Sequence, residues 1–260
     1  MRRSLSLTAR FGAALLGVAL LAAPGTGRAA EEAPTPPDLD WSFEGIFGHF
    51  DRAQLQRGFI VYNEVCASCH SMSLMYYRNL LDIGVSEAAA TEIAEQHTVM
   101  DGPDDNGDMF ERPARLSDPF AAPFPNEQAA RAAQGGALPP DLSLLNKARA
   151  GGADYVHGVL VGYEEPPADV ELPAGMYWNA YFPGHQIAMP PPLSDGAVEY
   201  PDGTEATVEQ MARDVTAFLQ FAAEPRQEER KRTGVKVVLF LIVLTGLLYA
   251  VKRKIWADVH

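Results

Sequence analysis

The sequence feature that most constrains this chain is a Cys-x-x-Cys-His motif. Its only two cysteines, Cys66 and Cys69, lie in one short stretch of 260 residues, and His70 directly follows the second. A Cys-x-x-Cys pair can be a redox disulfide, half of a zinc site or, with a following histidine, the attachment point of a c-type haem. A zinc site needs further ligands at a recognisable spacing, and the sequence has no second cysteine pair. The motif therefore predicts one covalently attached haem c, with a redox disulfide or a buried pair without function as the alternative.

The residues before the motif have the pattern of an amphipathic helix. Leu55, Phe59, Tyr62 and Cys66 are spaced four, three and four residues apart, which places them on one helical face. Asp51 precedes the pattern and is placed to cap the N-terminus of this helix. A helix that ends at the motif would present both thiols to the porphyrin and carry the histidine under the iron as its proximal ligand.

The N-terminal segment is typical of a secretory signal peptide. Three arginines precede or begin an apolar stretch over residues 11–23, and small residues follow it. This stretch is too short to cross a bilayer comfortably. We expect residues 1–29 to be removed after export, and an uncleaved signal anchor is the alternative.

The C-terminal segment has the composition of a membrane span. Residues 237–251 contain no charged side chain, and residues 233–251 reach the length of about 17–25 residues that a helix needs to cross a bilayer. Three basic residues follow at 252–254, which favours a cytoplasmic tail. We therefore predict a transmembrane helix over 233–251 and a cytoplasmic tail over 252–260.

Residues 30–230 are predicted to form one mainly α-helical haem domain with long loops and few short strands. No run of alternating strand residues is present, and residues 101–128 show neither the helical nor the strand period. Helices are expected over residues 72–84, over 86–100, over 142–163 with a break at Gly151 and Gly152, and from Thr207 to the proline at 225.

The sixth coordination position of the iron decides what such a haem does. Met189 stands directly before three prolines, which fix the backbone and remove backbone donors, so this loop is stiff. Met211 falls on the apolar face of the last helix of the domain and is assigned to the core. Met189 is therefore the preferred distal ligand, because histidine with methionine is the pairing that raises the potential for electron transfer. Met176, His185 and an open position are the alternatives.

Several segments, in this order along the chain, together resemble the cytochrome c1 family, the haem subunits of ubiquinol:cytochrome c oxidoreductase (cytochrome bc1) complexes. They are RGFIVYNEVCASCHSM at 57–72, YYRNL at 76–80, ALPPDLS at 137–143, YFPGHQIAMPPPL at 181–193 and YPDGTEATVEQMARDVTAFLQFAAEP at 200–225. The resemblance covers nearly all of the chain after the signal segment. It implies haem attachment at Cys66 and Cys69, axial ligation by His70 and Met189, a propionate contact from Arg78, and a haem crevice wall formed by Pro139 and Pro140.

The resemblance also implies a function and a location. Such a subunit takes one electron from a Rieske iron–sulfur protein and passes it to a soluble cytochrome c, and it assembles with cytochrome b. It belongs to an oxidoreductase but completes no reaction alone. The signal segment suits a bacterial inner membrane, with the haem domain in the periplasm. The net charge of −13 argues against a nucleic-acid partner and favours a basic cytochrome c as the acceptor.

Two other classes of protein share part of this pattern. A tethered cytochrome c that feeds another oxidase or reductase would have the same haem motif. A haem enzyme or sensor would have it too, but its sixth position would be open or displaceable.

Overall fold

The computed structural model describes residues 35–259, so the predicted signal segment and His260 lie outside the described residues. Within that range the chain is mainly α-helical, with two small two-stranded antiparallel sheets and one long apolar C-terminal helix. This architecture confirms the predicted fold class.

The elements of the described chain have the following bounds. The helices are α1 Arg52–Glu64, α2 Glu87–Glu95, α3 Glu127–Ala133, α4 Leu145–Ala148, α5 Gly152–Val161, α6 Val208–Ala223 and α7 Gln227–Ile255. The strands are β1 Thr98–Asp101, β2 Phe110–Pro113, β3 Tyr177–Trp178 and β4 Gln186–Ile187, with β1 paired to β2 and β3 paired to β4. Short 3₁₀ helices cover Cys66–Ser68, Tyr77–Ile83 and Ala257–Val259.

Helix α1 forms where the apolar spacing predicts it. The Asp51 side chain caps it by accepting hydrogen bonds from the backbone N–H groups of Ala53 and Gln54, at 2.9 and 3.3 Å. Leu55 and Phe59 on its apolar face are buried. The helix ends before Cys66, and the motif begins in the 3₁₀ turn that follows.

Helices α1 and α6 cross at close range, and this crossing organises the core. A Cβ atom added to Gly58 would lie 2.0 Å from the backbone oxygen of Asp214 and 2.7 Å from the Cβ of Phe218, so no side chain fits there. Beside this contact the fully buried carboxylate of Asp214 accepts hydrogen bonds from Arg57 at 2.9 Å and from Gln210 at 2.9 Å. A buried charge of this kind is tolerated because it is paired and hydrogen-bonded. Helix α5 packs against α6, and α4 packs against both.

The region after the motif contains less helix than the sequence predicts. Residues 77–83 form a 3₁₀ helix, and α2 follows with Ser86 as its N-cap. The predicted continuation of α2 to residue 100 is wrong, because Thr98–Asp101 pairs with Phe110–Pro113 as an antiparallel ladder. Within this hairpin Arg112 forms an ion pair with Asp101 on the partner strand. It also pairs with the carboxylate of Asp118, which follows the hairpin. The ladder and these ion pairs are long-range contacts that a helical period does not contain.

The C-terminal helices are separated at Pro225, as expected. Helix α6 ends at Ala223, and α7 begins at Gln227 and continues to Ile255. Within the described chain α7 is the one helix that is long and apolar enough to cross a membrane, and its most apolar stretch is not buried by other parts of the protein. It begins six residues before the predicted span, so it joins the folded domain and the apolar segment without a break.

The crossing of α1 and α6 generates a prediction on stability. Gly58→Ala places a methyl group against the backbone of Asp214, so we expect it to lower the free energy of unfolding by about 1–3 kcal/mol. Urea titration of the detergent-solubilised protein, followed by circular dichroism, measures the change. Gly234→Ala is the control, because a Cβ there meets nothing within 4 Å. Equal unfolding curves for Gly58→Ala and the unmodified protein would contradict the prediction.

Candidate haem site

The cysteine motif forms a tight turn at the end of α1. The backbone N–H groups of Cys69 and His70 both donate to the carbonyl of Cys66, at 3.1 and 2.9 Å, which winds the motif around that oxygen. Neither thiol is in a disulfide, and both cysteines are partly buried. Gln134, next to the C-terminal end of α3, donates through its amide to the sulfur of Cys69 at 3.4 Å. The turn therefore brings two free thiols and a histidine together within five residues.

The surroundings of the two cysteines argue against the redox and zinc interpretations. Burial, together with the neighbouring Cys69, raises the pKa of Cys66 to about 12. A redox-active cysteine needs an accessible thiolate, which a raised pKa disfavours. A zinc site needs further ligands, and residues 35–259 contain no group of three or more His, Cys, Asp or Glu side chains placed to hold a metal ion.

One ring nitrogen of His70 forms a hydrogen bond with the protein, and the other forms none with any described residue. Nδ1 of His70 lies 2.8 Å from the carbonyl oxygen of Pro140. A carbonyl can only accept, so Nδ1 carries the proton and Nε2 carries the lone pair. No described residue forms a hydrogen bond with Nε2, and burial lowers the pKa of His70 against the opposing effect of the Pro140 contact. The neutral imidazole, oriented from behind by a carbonyl, is the form that binds a metal.

Asp141 holds the histidine and Pro140 segments together. One carboxylate oxygen accepts from the Ser71 hydroxyl and the Ser73 backbone N–H, each at 2.9 Å. The other accepts from the backbone N–H of Ser143 at 2.8 Å. Partial burial opposes the charge of Asp141, but the hydrogen bonds from Ser143 and Ser73 outweigh it and lower its pKa. The carboxylate therefore joins two segments that are about 70 positions apart in sequence.

A small cleft beside the motif is lined mostly by aromatic rings. Its lining includes Ala67 of the motif; the residues are Phe59, Tyr62, Asn63, Ala67, Tyr77, His97, Phe120 and Ala121. The hydroxyl of Tyr62 is buried there and has no hydrogen-bond partner among the described residues. Free thiols, an available imidazole nitrogen and an orphaned buried hydroxyl together fit the donor set of a covalently attached haem with polar propionates.

Met189 lies at the end of a hairpin that is fixed to α5. The fully buried side chain of Asn179 donates to the carbonyl of Val159 at 2.8 Å, and its oxygen accepts from the backbone N–H groups of Tyr181 and Phe182. The hydroxyl of Tyr163 donates to the backbone carbonyl of Met189 at 3.0 Å. No hydrogen bond of the described residues joins this hairpin to the 66–70 turn, so the pairing of Met189 with His70 stays a prediction.

Two other predicted residues occupy well-defined places. The Arg78 guanidinium lies 4.0 Å from the ring centroid of Tyr76 and donates to the Ser117 carbonyl at 3.4 Å. It is exposed and makes no described contact with the motif, so its propionate role stays a prediction. Pro140 contributes its carbonyl to the His70 ring and so positions it. Its role in the wall of a haem crevice stays a prediction. His185 stacks on Trp178 at 4.7 Å, and its Nδ1 lies 3.2 Å from the carbonyl of Asn179.

Four residues of the site were not singled out from the sequence. Asp141 lies inside the ALPPDLS segment, directly after the two prolines. Gln134, Tyr163 and Asn179 have no motif, because their roles depend on partners far away in sequence. A fully buried asparagine could have been suspected only from the fold itself.

The fold and this turn together define a class: a mainly helical protein with a c-type haem attachment sequence and one C-terminal helix suited to a membrane. Comparisons with known proteins narrow the class. Residues 41–259 match the model of the cytochrome C1 family. Cytochrome b/c1 of Bradyrhizobium diazoefficiens is 52% identical over 255 residues, which cover 90% of this chain but only 37% of that protein. Cytochrome c1 of Rhodospirillum rubrum is 48% identical over 256 residues, covering 92% of this chain and 94% of that protein.

A relative from a eukaryote agrees with these two. The mitochondrial heme protein cytochrome c1 2 of Arabidopsis thaliana is 47% identical over 247 residues, covering 95% of this chain and 80% of that protein. The chain belongs to the cytochrome c1 family. Membership of this family implies haem c as the cofactor.

The Asp141 contacts generate a prediction on the site. Asp141→Ala removes three hydrogen bonds to a carboxylate at a partly exposed position, so we expect the free energy of unfolding to fall by about 1–2 kcal/mol. We also expect a smaller fraction of the protein to carry covalent haem, since His70 loses its fixed orientation. Denaturant titration and haem staining of denaturing gels measure the two effects. Asp105→Ala is the matched control, because Asp105 is exposed and makes no described side-chain hydrogen bond. Equal loss in both variants would show that Asp141 has no special role.

Proposed function

We propose that this protein is a membrane-anchored monohaem electron-transfer subunit of a quinol:cytochrome c oxidoreductase (bc1) complex. The observation that carries the proposal is the 66–70 turn, in which two free thiols are followed by an imidazole whose Nδ1 is held by Pro140 and whose Nε2 is available. When bound, haem c supplies a one-electron couple that needs no bond making in the partners. Cys66 and Cys69 attach it, and His70 binds the iron through Nε2.

Met189 is proposed as the second axial ligand. Asn179 and Tyr163 tie its loop to α5, and the three prolines after it stiffen the backbone. A thioether is a weak ligand, so a loop held from several sides favours its binding. The ring of His185, the competing ligand, is stacked on Trp178, which supports Met189 over it.

The partners follow from the family rather than from any contact in this chain. We propose a Rieske iron–sulfur protein as the electron donor, a soluble basic cytochrome c as the acceptor and cytochrome b as a neighbour in the membrane. The name cytochrome b/c1 of the Bradyrhizobium relative supports the last, since 63% of that longer protein lies beyond the part that this chain covers, which is 37%.

The proposed location is a bacterial inner membrane with a single crossing. The span lies within α7 at residues 233–251, the haem domain over 30–230 lies in the periplasm, and the tail over 252–260 lies in the cytoplasm. The basic residues at 252–254, directly after the apolar run, support this orientation.

The test of the proposal is the identity of the axial ligands. Met189→Leu should leave haem attached to Cys66 and Cys69 but abolish the methionine–iron charge-transfer band of the oxidised protein and lower the potential, because the thioether no longer favours the reduced iron. Optical spectra and redox titration measure both. Met176→Leu is the matched control and should change neither. If Met189→Leu keeps the spectrum and potential and Met176→Leu loses them, the ligand assignment is wrong. A high-spin spectrum of the unmodified protein would favour an open-site enzyme or sensor.

The acidic surface generates a prediction on the acceptor. Glu164, Glu165, Asp169 and Glu171 form an exposed acidic group in the loop after α5. Opposite potentials can raise association rates by about 10 to 1,000 fold at low salt, and the Debye length falls from about 30 Å at 0.01 M to about 10 Å at 0.1 M. We therefore expect the second-order rate of electron transfer to a basic cytochrome c to fall steeply over that range.

A variant in which the glutamates of this acidic group are neutralised tests where the docking surface lies. Changing these three glutamates to glutamine should flatten the salt dependence measured by stopped-flow absorbance. The same change at Glu87, Glu92 and Glu95, which are exposed on α2, is the matched control and should leave the slope unchanged. An unchanged slope in the first variant moves the docking site elsewhere, and a rate independent of salt excludes electrostatic steering.

A further inference from the structure

An exposed apolar turn lies beside the start of α7. Residues 43–50 form a closed loop in which the backbone N–H of His49 donates to the carbonyl of Ser42 at 2.9 Å. Gly45 takes a left-handed conformation with φ of 65°, and Gly48 packs so closely on the carbonyl of Glu44 that no Cβ would fit. The backbone is therefore built to hold this tight turn, and Ile46 and Phe47 stand at its apex, which is called the apolar tip below.

Both ends of the loop are fastened to the first turns of α7. The carbonyl of Phe43 accepts from the buried Gln227 side chain at 2.8 Å and also from the ammonium group of Lys231. At the other end the backbone N–H of Phe50 donates to Glu228 at 2.7 Å. The loop thus has a fixed position relative to the helix.

The apolar tip has no cover within the described chain. Ile46 is 69% exposed and Phe47 is 84% exposed, whereas Phe43 and Phe50 at the base of the loop are 3% and 4% exposed. An exposed pair of large apolar side chains on a rigid turn is a binding feature rather than a packing one. Its partner has to be apolar and has to lie close to the start of α7.

The distances along α7 fit a membrane surface as that partner. At about 1.5 Å per residue, the uncharged run that starts at Val237 begins about 9 Å along the helix from Lys231. The carbonyl of Phe43 contacts Lys231, so the loop is anchored within about two helical turns of that run. Exposed Arg232 and Lys236 lie on the same stretch of α7, where long basic side chains can extend to lipid headgroups.

We propose that the apolar tip inserts into the interfacial region of the lipid bilayer and so provides a second membrane contact beside α7. The insertion depends on α7 crossing the membrane but not on the haem site. Ile46 and Phe47 enter the boundary between headgroups and acyl chains, and the two ends of the loop transmit this contact to the haem domain through Gln227 and Glu228. The domain is then held at a defined tilt to the membrane rather than pivoting on one helix.

A spin-labelling experiment tests the insertion. Phe47→Cys in the full-length holoprotein is labelled with a nitroxide and reconstituted into vesicles of phosphatidylcholine and phosphatidylglycerol. Collision rates of the label with oxygen, which concentrates in lipid, and with a water-soluble nickel chelate are measured by electron paramagnetic resonance. The ratio of oxygen to nickel collisions should be several-fold higher at position 47 than at Asp105→Cys, an aqueous control, and should approach that at Val238→Cys in α7. Ile46→Cys should behave as Phe47→Cys does.

Each other outcome overturns the proposal. A ratio at positions 46 and 47 equal to that at Asp105→Cys would place the tip in water. A label shielded from both reagents would show that protein covers the tip, as in a contact with a second copy of the chain. Labelling of the unmodified holoprotein is the background control, because Cys66 and Cys69 react only if they do not carry haem. Labelling of Cys66 or Cys69 in this control would contradict the proposed haem attachment. The collision ratio at Val238→Cys separately reports whether α7 lies in lipid.

Discussion

The close crossing of α1 and α6 is the contact on which the rest of the structure depends. Helix α1 presents the cysteine turn at its C-terminal end, and α6 leads through Pro225 into the membrane-suited helix. Helix α5, which supports the Met189 hairpin, packs on α6 as well. The crossing requires glycine at position 58, since the α6 backbone occupies the space of a side chain. It also buries the Asp214 carboxylate, and the Arg57 pair makes that charge tolerable.

The candidate haem site is assembled largely by backbone carbonyls. The carbonyl of Pro140 orients the His70 ring, and the carbonyl of Met189 is held by the Tyr163 hydroxyl. Both carbonyls belong to proline-rich segments, where fixed φ angles reduce the number of conformations that must be ordered. Stiff loops on a helical frame can therefore place weak ligands, although neither loop has regular structure. Asp141 and Asn179 supply the anchors that connect these loops to the frame.

The membrane end of the molecule is continuous with the domain. Helix α7 begins inside the fold, where Gln227 is buried, and continues into its apolar run without a flexible linker. The carbonyl of Phe43 and the backbone N–H of Phe50 bind the first turns of α7. The rings of Trp41, Phe43 and Phe50 form a chain of contacts that ends on Phe221 of α6. Motion of the domain relative to this helix is limited by those contacts.

The sequence by itself determined the local features of this protein. The Cys66 motif, the Asp51 and Thr207 helix starts, the break at Gly151 and the apolar run of α7 are each contained in a few neighbouring residues, and spacing alone predicts them. The tertiary structure alone decided which carbonyl faces His70, that a carboxylate at 141 joins two segments, that residues 98–101 form a strand, and that a buried asparagine holds the Met189 hairpin. The reason is that these contacts join residues far apart in sequence, so they exist only once packing of the helices has brought their partners together.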